Sequence, residues 1–209
     1  SSTGFTIERH GEELVRIQLP TPGLHNARNA AGAVVAGIEA GAPVDAAARA
    51  LARFGGVARR FEFRGEADGV TFVDDYAHLP TEVEAAVAAA RDGDWGRVVC
   101  VFQPHRFSRT AALWAEFADA FTGADRVIVT DIYSAGETPR PGVTGKLVVD
   151  AVLDAHPWSD VAWLPRLDDV ADWLSTRLRP GDLCLTLGAG DLTNLPDVVL
   201  DRRRGVSAA

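Results

Sequence analysis

The chain has no methionine and only two cysteines, Cys100 and Cys184. Both cysteines stand inside apolar, strand-like runs. They read as buried free thiols of a reducing cytoplasm rather than as a disulfide or a catalytic nucleophile. Basic residues are in deficit: 21 Lys and Arg face 29 Asp and Glu, for a net charge of −8. Phosphate backbones and anionic headgroups call for the opposite balance, so neither nucleic acid nor a membrane surface is an expected partner. Long apolar runs are missing too, so membrane insertion is not expected, and no charged-then-apolar leader opens the chain. Zinc-type ligand spacing is absent. Gly188-Ala189-Gly190-Asp191 lacks the third glycine of a dinucleotide fingerprint, and Gly142-Val-Thr-Gly145-Lys146-Leu147 lacks the spacing of a phosphate loop. The missing methionine, with a start at Ser1, gives the expectation of a piece cut or processed from a longer protein.

What is present is the composition of a globular protein, 47% apolar and 24% charged. Residues 5–9 and 14–19 alternate apolar and polar around His10-Gly11-Glu12, as an antiparallel hairpin does. Pro20 to Gly23 breaks the pattern. From Asn26, a helix carries Ala27, Ala30, Ala31, Val34 and Ile38 on one stripe, with Asn26 expected as its N-cap. A second helix starts after Pro43, and Gly55-Gly56 ends it. This places a domain boundary between 1–56 and 57–209. Beyond it, strands at 70–74, 97–102, 126–131, 161–164 and 182–187 alternate with helical stripes. The stripes are Val83/Ala86/Val87/Ala90, Leu113/Phe117/Ala120/Phe121, Val148/Val152 and Val170/Trp173/Leu174/Leu178. Alternation of this kind predicts an α/β fold, a doubly wound and mostly parallel sheet behind a smaller α+β piece. The tail from Arg202 to Ala209 reads as frayed.

Two polar knots follow successive apolar strands. The first is Asp74-Asp75-Tyr76-Ala77-His78, ahead of a helix preset by Pro80; the second is Gln103-Pro104-His105-Arg106-Phe107-Ser108-Arg109-Thr110. Ligands of open α/β sheets bind outside the carboxyl ends of the strands, which is where these knots fall. In the first, Asp74, Thr81 and Glu84 read as turn and cap residues, with Thr81 and Glu84 as a capping box, and Asp75, Tyr76 and His78 as ligand contacts. In the second, Arg106 and Arg109 at a helix start read as an anion clamp for a carboxylate or phosphate, against the alternative of a solvated basic turn. Asn26 and Asn29 share a helix face and are candidates for a common ligand. Arg59 and Arg60 read equally well as phosphate contacts or as interdomain ion pairs.

These motifs, with Pro22-Gly23-Leu24-His25-Asn26, Gly56-Val57-Ala58-Arg59-Arg60-Phe61, Tyr133-Ser-Ala-Gly136-Glu137 and Leu187-Gly188-Ala189-Gly190-Asp191, resemble the Mur ligases of peptidoglycan synthesis over nearly the whole chain. The Gln-Pro-His-Arg-Phe-Ser-Arg-Thr run resembles the alanine-adding type in particular. The resemblance implies residues 1–56 as the end of a central ATP-binding domain and 57–209 as a complete Rossmann-like C-terminal domain. The N-terminal domain and the rest of the central domain, with most magnesium ligands, would lie outside the chain. It implies ATP-driven amide formation between UDP-N-acetylmuramate and L-alanine through an acyl phosphate, with ATP and Mg2+ as cofactors, in the cytoplasm. It implies Asn26, Asn29, Arg60 and Asp75 as ATP-binding residues. It implies His105, Arg106 and Arg109 around the L-alanine carboxylate, bordered by Tyr76 and His78. Leu79 departs from the family, whose alanine-adding members carry a histidine there. Two alternatives stand beside this expectation: a peptide-adding ligase of wall recycling, and a nucleotide-binding module without catalysis.

Overall fold

A computed structural model of the protein describes residues 2–207, with side chains to residue 205. It divides into two compact units, Ser1–Ala58 and Arg59–Ala209, against the 56/57 boundary expected from the sequence. The first unit opens with the antiparallel hairpin β1 (Thr3–Arg9) and β2 (Glu12–Leu19). His10 and Gly11 turn it at φ 55° and 85°, the doubly positive backbone that matches strand twist. Two helices follow, α1 (Leu24–Glu39), which buries Ala27, Ala30 and Val34, and α2 (Val44–Ala52). Gly23, not Asn26, is the N-cap of α1. Its φ of 99° suits a residue without Cβ, and Asn26 lies inside the first turn with its amide donating to the Pro22 carbonyl at 2.7 Å.

The second unit is a six-stranded sheet in the order β3-β4-β8-β5-β6-β7. Its strands are β3 (Glu62–Ala67), β4 (Val70–Asp75), β5 (Arg97–Phe102), β6 (Arg126–Val129), β7 (Val161–Trp163) and β8 (Asp182–Leu187). All pair in parallel except β3, which runs antiparallel to β4 at the edge. The central strand β5 is an apolar run after Arg97, and β8 is buried along its whole length, because helices cover both faces. One face packs against α3 (Pro80–Arg91), a 3-10 turn (Trp114–Phe117) and α5 (Lys146–Ala155), through Val83, Val87, Phe117, Phe121 and Val148. The other packs against α6 (Leu167–Arg177) and α7 (Leu195–Ser207), through Val170, Leu174, Val199 and Leu200.

The departures from sequence expectation have local causes. The stripe Leu113/Phe117/Ala120/Phe121 is not one helix. The helix α4 (Phe107–Leu113) gives way to the 3-10 turn and then to further turns that still bury Phe117, Ala120 and Phe121. Leu79 caps α3, and Glu82 rather than a Thr81/Glu84 pair closes the box, taking the His78 and Leu79 N–H groups at 3.0 and 3.2 Å. The expected frayed tail is helical through Ser207, and only residues 208–209 of it lie outside the described residues. Among the described residues no helix is long and apolar enough to cross a membrane.

Candidate functional site

The strand order places three loops side by side at the carboxyl edge of the sheet. They follow β4, β5 and β6, and β8 between β4 and β5 adds a fourth, Gly188–Asp191. Strand β7 lies beyond β6, and the chain returns from it through α6 to β8, so the site forms where the winding reverses.

The first knot divides into support and surface. Asp74 is fully buried and is a structural hub rather than a turn residue. It accepts the Thr186 and Thr193 hydroxyls, each at 2.7 Å, and pairs with Arg59 at 3.2 Å. Arg59 also donates to the carbonyl of Gly188 at 2.6 Å, tying β4 to the loop after β8. The Arg59 ion pair thus lies within the second unit and is not the interdomain pair that the sequence offered as one alternative. Asp75 is 4% exposed and accepts the N–H groups of Phe61 and Ala77, each at 2.8 Å. Its carboxylate therefore fixes the path of the chain on both sides. Tyr76 and His78 are half-buried beside this frame, with ring centroids 5.4 Å apart and His78 Nδ1 3.0 Å from the Tyr76 carbonyl oxygen, and the exposed Arg60 lies over the Tyr76 ring at 5.5 Å.

The second knot meets the first through its histidine: the His78 and His105 rings are 5.5 Å apart. Arg109 reaches back one turn, and its Nη1 lies 3.2 Å from His105 Nδ1. Arginine only donates, so Nδ1 accepts and the neutral ring keeps its proton on Nε2. Burial, then His78, Arg109 and Arg106, lower the His105 pKa and favour that neutral form. Arg106 is exposed at the entrance of α4 with φ 70°, a backbone that non-glycine residues rarely adopt. The knot thus presents two guanidiniums and a neutral imidazole on one short turn, a set suited to a carboxylate.

The third loop, after β6, carries Tyr133 and Glu137, to which the sequence alone assigns no role. The Tyr133 ring stacks on His105 at 5.7 Å and 17°. Its backbone accepts Arg106 N–H at 2.9 Å and donates to the Pro104 carbonyl at 2.9 Å. Glu137 takes both donors of Ser108. Gln103, 5% exposed, bridges to Asp191 at 2.7 Å. The signal for these residues was available: Asp131 to Glu137 is a third polar cluster following a third apolar strand. Asn26, in the first turn of α1, and the exposed Asn29 belong to the first unit. Among the described residues no three His, Cys, Asp or Glu side chains group to hold a metal ion.

The profile described as Mur ligase, glutamate ligase domain, matches residues 59–190, most of the second unit. A UDP-N-acetylmuramate–L-alanine ligase of Saccharopolyspora erythraea is 49% identical over 95% of this chain, and one of Kineococcus radiotolerans is 53% identical over 88%. The chain spans about 40% of the length of these curated relatives. In fold it is similar to the crystal structure of UDP-N-acetylmuramate–alanine ligase from Thermotoga maritima (TM-score 0.80, 24% identity, 98% of this chain and 44% of that one). A murein peptide ligase from Psychrobacter arcticus also shares the fold (TM-score 0.68, 22% identity, 95% of this chain and 41% of that one). With its parallel sheet, its clustered loops and these relatives, the chain belongs to the Mur ligase family.

Proposed function

We propose that this chain supplies the amino-acid-binding part of an ATP-dependent ligase that joins L-alanine to UDP-N-acetylmuramate in peptidoglycan synthesis. The observation that carries the reading is the turn that bears Arg106, Arg109 and neutral His105, with Arg109 held against His105. Arg109 and Arg106 bind the L-alanine carboxylate, and His105 Nε2–H offers a further donor. Tyr76 and His78 border the pocket. Holding the amino acid by its carboxylate leaves the amine free to attack, and positioning of this kind contributes most of what a protein adds to such a transfer. ATP, when bound, supplies the phosphoryl group that activates the sugar's carboxylate. Within this chain we assign Arg60 to its phosphates, Asn26 and Asn29 to its adenine, and Asp75 to the ribose side through the loop it holds. Residues 1–58 are then the end of an ATP-binding domain. The described residues offer no metal cage, so Mg2+ would be held by other parts of the ligase or by ATP itself. Work in the cytoplasm follows from these substrates.

The test is a chimera in which this chain replaces the matching part of the Saccharopolyspora erythraea ligase. It is supplied with UDP-N-acetylmuramate, ATP, Mg2+ and a panel of amino acids and peptides, and phosphate release is followed. Release that depends on L-alanine is expected. Arg109→Ala should raise KM for L-alanine by about 30- to 300-fold, the scale of one lost charged hydrogen-bonding partner. Release with a peptide in place of L-alanine would favour the recycling type, and none with any acceptor would favour a binding module.

A further inference from the structure

We propose that Glu137, on the loop after β6, is a positioning residue that holds the carboxylate clamp in its binding geometry through Ser108. The inference rests on the assignment of Arg106 and Arg109 above. Ser108 lies between those two arginines. Its N–H donates to one Glu137 carboxylate oxygen at 2.8 Å, and its hydroxyl donates to the other at 2.5 Å. Both donors of that residue are therefore committed to a single side chain of a different loop.

The need for such a hold comes from the backbone. Arg106 sits at φ 70° and ψ 135°, outside the regions open to ordinary L-residues. A conformation of that kind persists only where its surroundings over-determine it. Three contacts do so from within or beside the turn: Arg106 N–H to the Tyr133 carbonyl, and the Thr110 N–H and hydroxyl to the Arg106 carbonyl. Glu137 adds two more at Ser108, on the other side of Phe107 from Arg106. The third loop thus grips the turn at two places, with the Tyr133 carbonyl before Phe107 and Glu137 after it. The Ser108 hydroxyl and then its N–H hold the Glu137 carboxyl below its ordinary range, so the side chain stays ionised and accepting at neutral pH. It can donate nothing in that state, which suits a residue facing two donors. Loss of Glu137 leaves the turn free to relax. The two guanidiniums then no longer share one target, although neither has been altered.

The unmodified chimera is measured first. If it shows no release dependent on L-alanine, the proposed function fails and Glu137 is not in question. If it does, Glu137→Ala is expected to raise KM for L-alanine by about tenfold or more, the scale of a charge-assisted hydrogen bond, while KM for ATP and for UDP-N-acetylmuramate moves less than twofold. Glu137→Gln keeps one acceptor and is expected to recover part of the loss. Ser108→Ala should cost much less in the Glu137→Ala background than alone, since both act on one contact. An unchanged KM for L-alanine, equal losses for all three substrates, or additive effects of the two substitutions would each overturn the proposal. Should Glu137→Ala fail to fold, the same comparison of KM values on Glu137→Gln decides it.

Discussion

Asp74 and His105 show what single side chains do at this sheet edge. Asp74 is fully buried and anchored by two hydroxyls and a guanidinium. Asp74→Ala should cost roughly 3–5 kcal/mol, because it removes the counter-charge of Arg59 and the shared acceptor of two hydroxyls from a fully buried position; urea unfolding would measure it, and a loss under ~1 kcal/mol would contradict the hub. The histidine bears on pH. The His105 pKa is lowered, so the unfolded chain binds a proton more readily than the folded one. Its contribution is full above the ordinary histidine range and declines as pH falls through that range toward the lowered value. Urea midpoints taken between pH 7.5 and 5 should therefore fall less steeply for His105→Gln than for the parent. The sequence revealed that these residues were special, but not in which way. Asp74 and Asp75 are neighbours of one type, and only the parallel pairing with β8, which brings Thr186 beside Asp74, separates the hub from its neighbour.

The elements were legible where periodicity was strong. The apolar run of β5, the largely apolar β8 and the alanine-rich stripe of α3 are visible in one sequence because burial on one or both faces leaves a repeating pattern. The edge strand β3 was not foreseen. Its Glu62-Phe-Arg-Gly-Glu-Ala is half exposed and interrupted by a bulge near Gly65. The signal lay in the turn instead: Asp68-Gly69 carries φ 51° and 73°, the pair of positive values that a two-residue hairpin prefers. Gly69→Ala should destabilise the protein by more than ~1 kcal/mol, since Cβ there meets both a positive φ and Pro180 Cβ at 3.1 Å; thermal melting would detect it. The α4 segment misled for the opposite reason. Phe117, Ala120 and Phe121 are buried as a helical stripe would bury them, yet a 3-10 turn and further turns deliver them to the core.

At the scale of the molecule, the second unit has its own two-faced core and its own closed set of loops. Residues 59–209 expressed alone should therefore unfold in one cooperative transition, followed by far-UV circular dichroism and tryptophan fluorescence together; transitions that do not coincide would contradict a single cooperative body. The sheet order carries a consequence for biosynthesis. Strand β8 pairs with both β4 and β5, which lie on either side of it, yet β4 ends at Asp75 and β5 at Phe102, long before β8 begins at Asp182. Until Leu187 has left the ribosome, the two parts of the sheet have no strand to join them. The β4 and β5 edges that β8 will cover therefore have no native partner while β6 and β7 are being made, and such unpaired apolar strands are open to chaperones and to wrong pairing.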